Sequence, residues 1–118
     1  MRLLYHPDKK DISLAGVLYA LGDPVRLEIV KRLAEKGELP CCEVTEQSIA
    51  KSTLSHHFKI LRDSGVLYCR KEGTQHMNSL RRDDLDDRFP NLLTVVLQSA
   101  AREANLAAHP LDTLLPSS

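Results

Sequence analysis

The 118-residue chain is long enough for one domain with a modest hydrophobic core, and its sixteen basic and sixteen acidic residues leave it without net charge. With three Tyr, two Phe and no Trp, the core must consist mainly of Leu, Val, Ile and Ala, which favours helices. No hydrophobic run approaches the length of a membrane span, and the first residues lack the hydrophobic stretch of a signal peptide. We therefore expect a soluble, cytoplasmic protein.

The charges are unevenly distributed along the chain. Residues 51–82 hold seven Lys or Arg against two Asp or Glu, whereas residues 83–118 hold two against six. Residues 1–50 are nearly balanced, with seven against eight. A basic segment between more acidic ones is typical of a surface that binds a polyanion.

The first third of the chain predicts a polar arm and two helices. Residues 1–10 are polar and predict a flexible arm. Apolar residues at helical spacing predict one helix over residues 12–21 and a second over residues 24–36. Asp23 and Pro24 are the residue types preferred at an N-cap and at the first helical position, so the start of the second helix is strongly marked.

The middle of the chain predicts a helix-turn-helix. Residues 38–40 predict a connection, residues 42–48 a two-turn helix, and residues 51–64 a longer helix with one apolar stripe. The remaining surface of the longer helix carries cations and short hydrogen-bonding side chains: Lys51, Ser52, Thr53, Ser55, His56, Lys59 and Arg62. Hydroxyl groups and His at the start of such a helix suit base edges in the major groove of DNA, and the cations suit phosphates.

After this helix the hydrophobic period changes to that of a strand. Residues 66–80 predict a β-hairpin with Gly73 in its turn. Arg70, Lys71 and His76 make the hairpin basic. A basic hairpin that follows a helix-turn-helix is a wing, and its cations lie along phosphates or in the minor groove.

The last third of the chain predicts a surface for a second subunit. Residues 83–87 predict an acidic turn or a single helical turn, and residues 91–108 predict a long helix. Its apolar stripe consists of Leu93, Val96, Leu97, Ala100, Ala104 and Ala107. So small a domain has too little core left to cover this stripe, so we expect a homodimer held by the last helix, with Leu14, Val17 and Leu18 contributing. The domain then spans residues 11–109, and residues 110–118 form a frayed tail.

Two stretches resemble the winged-helix repressors of the arsenical-resistance (ArsR) family. They are ALGDPVRLEIV at residues 20–30 and STLSHHFKILRDSGVL at residues 52–67, and the resemblance extends over roughly residues 12–105. It implies a mainly α fold with a small β-hairpin, a winged helix-turn-helix that dimerises through its terminal helices. It also implies a homodimeric repressor that binds double-stranded DNA at an inverted repeat and is released by a metal, metalloid, oxidant or other signal. For this chain we expect a small-molecule or redox effector.

The resemblance also bears on metal binding. Metalloid-sensing members carry Cys-x-Cys in the short helix, where this chain has Pro40 at the first ligand position and Cys42 at the second. Zinc-sensing members place His and acidic ligands on the last helix, where residues 91–108 contain no His and one acid, Glu103. We therefore expect no metal site and no cofactor.

The cysteines and one histidine leave alternatives open. Cys41 and Cys42 are a candidate redox pair, because a thiolate near a helix start is stabilised by the helix dipole, or they are small buried hydrophobic residues. Cys69 lies in a predicted strand, and we expect its side chain to pack in the core. His57 lies beside the apolar stripe, so we expect it to be a packed, hydrogen-bonded histidine rather than a DNA contact.

Two alternative functions follow from these features. One is a thiol-based redox-sensing repressor, and the other is a winged-helix protein-interaction module with no role on DNA. The sequence contains no Gly-rich phosphate loop, no paired carboxylates around a plausible pocket and no nucleophile within a known motif. We therefore predict no catalytic residues and no enzymatic activity.

Overall fold

The computed structural model describes residues 5–45 and 48–108, apart from the side chains of residues 42, 107 and 108. The helices are α1 (Leu14–Leu21), α2 (Pro24–Lys36), α3 (Lys51–Asp63), α4 (Arg82–Arg88) and α5 (Leu92–Ala108). The strands β1 (Glu38–Pro40), β2 (Leu67–Glu72) and β3 (Gln75–Leu80) form an antiparallel sheet in the order β1-β3-β2. The predicted fold class, mainly α with a small β-hairpin, is confirmed. None of the described helices is long and apolar enough to cross a membrane.

The centre of the fold is α2, which contacts α1, α3, α5 and the sheet. Its Ile29, Val30 and Leu33 are almost completely buried. The hairpin and α3 add further core side chains at Leu61 and Val66. Because branched aliphatic residues supply nearly all of this core, burial of apolar surface is its main stabilising contribution.

Local capping residues determine where the first two helices begin. The Asp23 carboxylate accepts hydrogen bonds from the backbone N–H groups of Val25 and Arg26, which confirms the predicted start of α2. The first helix begins at Leu14, two residues later than predicted. Ser13 caps it by accepting from the N–H of Gly16, while the preceding residue points into the core.

The prediction for residues 38–48 was wrong in two respects. Residues 38–40 form β1, in which Leu39 pairs with Asn78 of β3, rather than a connection. The extended backbone of Pro40 then leads into a single 3-10 turn at Cys41–Glu43, and no described residue between this turn and α3 is helical. Pairing with β3 keeps residues 38–40 extended, where the sequence predicted a connection leading into a helix. Residues 46 and 47 of the predicted helix lie outside the described residues.

The second half of the predicted arm lies against the hairpin. The His6 Nε2 accepts a hydrogen bond from the backbone N–H of Cys69 at 3.0 Å, and the Pro7 carbonyl oxygen accepts one from Arg81 Nη1 at 2.7 Å. Residues 1–4 of the arm, like the predicted tail at 110–118, lie outside the described residues. The acidic stretch at 83–87 belongs to the seven-residue helix α4 rather than to a turn, and Asp84 binds the buried Arg81.

The uncovered surface of α5 differs from the predicted stripe. Leu93 is only 2% exposed and belongs to the core of its own protomer. The exposed large aliphatic side chains are Val95 and Leu106 on α5 and Leu14 and Leu18 on α1, and Ala104 of the predicted stripe is exposed as well. Val17, predicted to contribute to the dimer, is 1% exposed and belongs to the core. The prediction failed for Leu93 because helical spacing identifies an apolar stripe without showing which neighbour covers it.

Gly65 and Gly37 allow a matched test of the packing between α3 and the segment before α1. Both have positive φ angles, of 86° and 88°, but a Cβ at Gly65 would lie 2.5 Å from Ile12 Cγ1, whereas one at Gly37 would meet nothing within 4 Å. We expect Gly37→Ala to lower the free energy of unfolding by about 1–2 kcal/mol through backbone strain. Gly65→Ala should cost about 1–3 kcal/mol more because of the clash.

Urea denaturation at one protein concentration measures both costs. Ile12→Ala should be less destabilising in the Gly65→Ala background than alone, since it removes the clashing atoms. Equal costs for the two glycine substitutions would contradict the close packing of Gly65 on Ile12.

Candidate nucleic-acid interface

The helix α3 separates a buried face from an exposed one. Phe58 and Leu61 are 8% and 0% exposed and hold one face in the core. The exposed face carries the side chains predicted to contact DNA: Lys51, Ser52, Thr53, Ser55, His56 and Lys59. These residues share one surface of a regular helix, so they can lie against a single groove together.

The start of α3 presents backbone donors as well as hydroxyl groups. Ala50 stands at the N-cap and has no side-chain acceptor, and the first intrahelical bond runs from the N–H of Leu54 to its carbonyl. The preceding N–H groups of the helix therefore have no partner within it. Together with the positive end of the helix dipole, they suit an anion such as a DNA phosphate.

Two cations of α3 differ in how freely they can reach DNA. Lys59 is exposed and pairs with Asp63 one turn later at 2.7 Å, an exposed contact that exchanges readily with another anion. Arg62 is half-buried and lies beside Cys69 of β2, and its Nε has no hydrogen-bond partner among the described residues. The structure therefore places the partly buried Arg62 beside the hairpin, where Cys69 is one of its neighbours.

The wing carries an ion-paired Arg70 and, nearer its turn, Lys71 and His76. Arg70 binds Glu38 of β1 and Glu72 of its own strand, the latter at 2.6 Å. Hydrogen bonding to Arg70 lowers the pKa of Glu38, and the two carboxylates raise the pKa of Arg70. Lys71 and His76 face each other across the hairpin and are exposed near its turn. The wing thus presents Lys71 and His76 close to its tip, while two carboxylates compensate the charge of Arg70.

The cysteines are arranged differently from the pair that the sequence suggested. Burial raises the pKa of the Cys69 thiol, the nearby Cys41 raises it further, and the Arg62 guanidinium opposes both effects. Cys41 is half-buried, and the side chain of Cys42 lies outside the described residues. Sequence reasoning missed the proximity of Cys41 to Cys69, because it depends on the addition of β1 to the hairpin.

His57 of α3 packs against a side chain of α2. His57 is 9% exposed, and its Nδ1 lies 3.2 Å from Arg26 Nη1, which confirms the prediction of a packed, hydrogen-bonded histidine. The sequence marks Arg26 only as part of the motif at residues 20–30, and no local pattern indicates its contact with α3. Among the described residues, no three His, Cys, Asp or Glu side chains cluster so as to hold a metal ion.

Comparison with known proteins identifies the family. Residues 21–70 match the model of a helix-turn-helix domain family. The chain is 42% identical over 81 residues to the arsenical resistance operon repressor of Staphylococcus xylosus, covering 68% of this chain and 77% of the relative. It is 36% identical over 83 residues to an uncharacterised HTH-type transcriptional regulator of Methanocaldococcus jannaschii, covering 70% and 89%. The chain belongs to the ArsR family.

The fold of a solved transcriptional repressor agrees with this assignment. The transcriptional repressor BigR from Xylella fastidiosa superposes with a TM-score of 0.52 at 32% identity, over 64% of this chain and 85% of that structure. As a member of the ArsR family, the protein is a DNA-binding transcriptional repressor. The family consists of transcriptional regulators and not of enzymes.

Proposed function

We propose that this ArsR-family repressor binds an imperfect inverted repeat as a homodimer and leaves it in response to a signal. Each α3 enters a major groove, and each wing follows the adjacent DNA backbone. The exposed face of α3 is the observation that supports this proposal, because it combines short hydrogen-bonding side chains at the helix start with cations further along.

The side chains of the interface divide into two groups by length and charge. Ser52, Ser55 and His56 project from the first turns of α3 and are short enough to reach only base edges that lie close to the helix. Lys51, Lys59 and Lys71 carry flexible cationic chains, which suit phosphates. The first group supplies sequence preference, whereas the second supplies affinity for any duplex.

In the wing, Lys71 is the principal phosphate contact. Arg70 already binds Glu38 and Glu72, so a phosphate must compete with two carboxylates for its guanidinium. Lys71 makes no ion pair with another described residue and is exposed beside the turn. Arg70 then stabilises the junction of β1 with the hairpin rather than neutralising DNA.

Substitutions in the two groups should affect DNA binding differently. On a duplex that the purified protein selects from a random pool, His56→Ala should cost about 1–3 kcal/mol, with little effect on a scrambled duplex of equal composition. Lys71→Ala should weaken both duplexes alike and reduce the slope of log affinity against log salt by about one. Binding titrations at several salt concentrations measure both effects.

Arg70→Ala is the matched control for Lys71→Ala, and it should change the salt slope less because two carboxylates already neutralise Arg70. Equal losses for His56→Ala on the selected and scrambled duplexes would show that the start of α3 does not contact bases. A larger slope change for Arg70→Ala than for Lys71→Ala would reverse the roles of the two wing residues.

The second subunit covers an apolar surface formed by α1 and α5. Leu18 of α1 and Val95 of α5 line one groove and are 48% and 55% exposed. Leu14 and Leu106, on the same two helices, are 47% and 45% exposed, and several large aliphatic side chains exposed in this way are typical of an interaction surface. Burial of this surface against its symmetry mate would hold the two α3 helices in successive major grooves, roughly 34 Å apart.

Substitution of two apolar residues of this surface by glutamate tests the dimer. Leu18→Glu/Val95→Glu should give a folded monomer by light scattering, because a symmetric interface would bring four carboxylates into an apolar contact. Ala34→Glu, an exposed position at the end of α2, is the matched control and should stay dimeric. A monomeric unmodified protein, or a dimeric double variant, would contradict the proposal. Leu93→Glu is unsuitable because it disrupts the core of the protomer.

A further inference from the structure

Arg26 of α2 is a buried cation whose guanidinium joins three helices. It is 7% exposed. Its Nε donates to the carbonyl oxygen of Ala20 at 2.7 Å, and its Nη2 donates to that of Tyr19 at 3.2 Å, both near the end of α1. Its Nη1 lies 3.2 Å from Nδ1 of His57, in the middle of α3.

The contacts with α1 explain how a guanidinium can be buried here. Burial of a charge is costly unless hydrogen bonds and complementary charge replace its hydration. The last carbonyl groups of α1 lie at the negative end of the helix dipole, so they stabilise a cation. The Tyr19 carbonyl oxygen also accepts from the N–H of Gly22 at 3.2 Å, and a carbonyl oxygen has two lone pairs with which to accept both bonds. The two carbonyl contacts fix the plane of the Arg26 guanidinium and leave Nη1 directed at α3.

The contact with Arg26 defines the hydrogen-bonding role of the His57 ring nitrogen Nδ1. A guanidinium has only donors, so Nδ1 of His57 must accept the hydrogen bond through its lone pair. In this hydrogen bond the ring proton of His57 lies on Nε2. The nearest carboxylate oxygen, Oδ2 of Asp23, lies 3.8 Å from the same Nδ1, beyond hydrogen-bonding distance, and is already used to cap α2.

We propose that Arg26 is a positioning residue for DNA recognition, and that its hydrogen bond to His57 sets the rotation of α3 about its own axis. His57 is the only residue of α3 that Arg26 contacts through a polar group among the described residues. Apolar packing of Phe58 and Leu61 is not directional, whereas a hydrogen bond to a ring nitrogen is. The inference rests on the proposed role of α3 in contacting bases.

A small rotation is enough to matter for base contacts. The surface of a helix lies roughly 5–6 Å from its axis, so a rotation of about ten degrees moves it by about 1 Å. Ser55 and His56 precede His57 directly and move with it. A shift of this size breaks a hydrogen bond to a base edge, while the long side chain of Lys59 can still reach a phosphate. Loss of the Arg26–His57 bond should therefore reduce sequence preference more than general affinity.

The test compares acceptor-retaining and acceptor-lacking replacements of His57. His57→Asn keeps an oxygen near the position of Nδ1, whereas His57→Leu has similar bulk and no acceptor. Arg26→Lys keeps the charge but cannot bind three acceptors in one plane. Lys36→Gln, an exposed charge removal at the end of the same helix, is the control. Circular dichroism and thermal unfolding report whether each variant is folded.

We expect His57→Leu and Arg26→Lys to bind the selected duplex about tenfold more weakly, with affinity for the scrambled duplex and the salt slope unchanged. His57→Asn and Lys36→Gln should stay within about threefold of the unmodified protein on both duplexes. Equal losses on both duplexes would overturn the positioning role, as would a His57→Asn variant as impaired as His57→Leu. If His57→Leu does not fold, the affinities of Arg26→Lys for the selected and scrambled duplexes still decide the matter, because Arg26→Lys should lose affinity only for the selected one.

A measurement without DNA separates this inference from the proposed function. Nitrogen-15 NMR of the unmodified protein should show that Nδ1 of His57 carries no proton and that Nε2 does. A proton on Nδ1 would overturn the hydrogen bond from Arg26 and the inference with it. If the protein selected no duplex at all, the proposed DNA contacts would fail first and the positioning role would fall with them, whatever the tautomer.

Discussion

The apolar face of α3 is held in the core by Phe58 and Leu61, and this burial determines which side chains of the helix can reach DNA. A regular helix that buries one stripe must expose the opposite one. Cations and hydroxyl groups on that exposed face are therefore presented together, without a separate interaction to orient each side chain. The rest of the fold supports α3: α2 supplies the surface on which it packs, and the hairpin extends from its end.

The elements that the sequence predicted correctly are those with local signals. Asp23 and Pro24 mark the start of α2, and the change from helical to alternating periodicity marks the hairpin. The strand β1 was missed because three residues carry no periodicity and become a strand only by pairing with β3. Burial of Leu93 was missed for the same reason, since the partner of an apolar stripe is a tertiary feature.

The candidate interface shows the same division between local and tertiary information. Helical spacing alone places Ser52, Ser55 and His56 on one face, and the structure exposes all three. The pairing of Arg70 with Glu38 and the burial of Arg62 beside the hairpin depend on how β1 and α3 meet the sheet. The contact of Arg26 with His57 joins residues far apart in the chain, so no local pattern could have indicated it.

The structure of the complex between the protein and a duplex selected from a random pool is the most direct test of the claim that the exposed face of α3 recognises DNA. We expect Ser55 or His56 within hydrogen-bonding distance of a base edge, about 2.7–3.2 Å, with α3 in the major groove and Lys71 against a phosphate. A complex in which α3 lies outside the groove, or in which another surface contacts the bases, would contradict this claim.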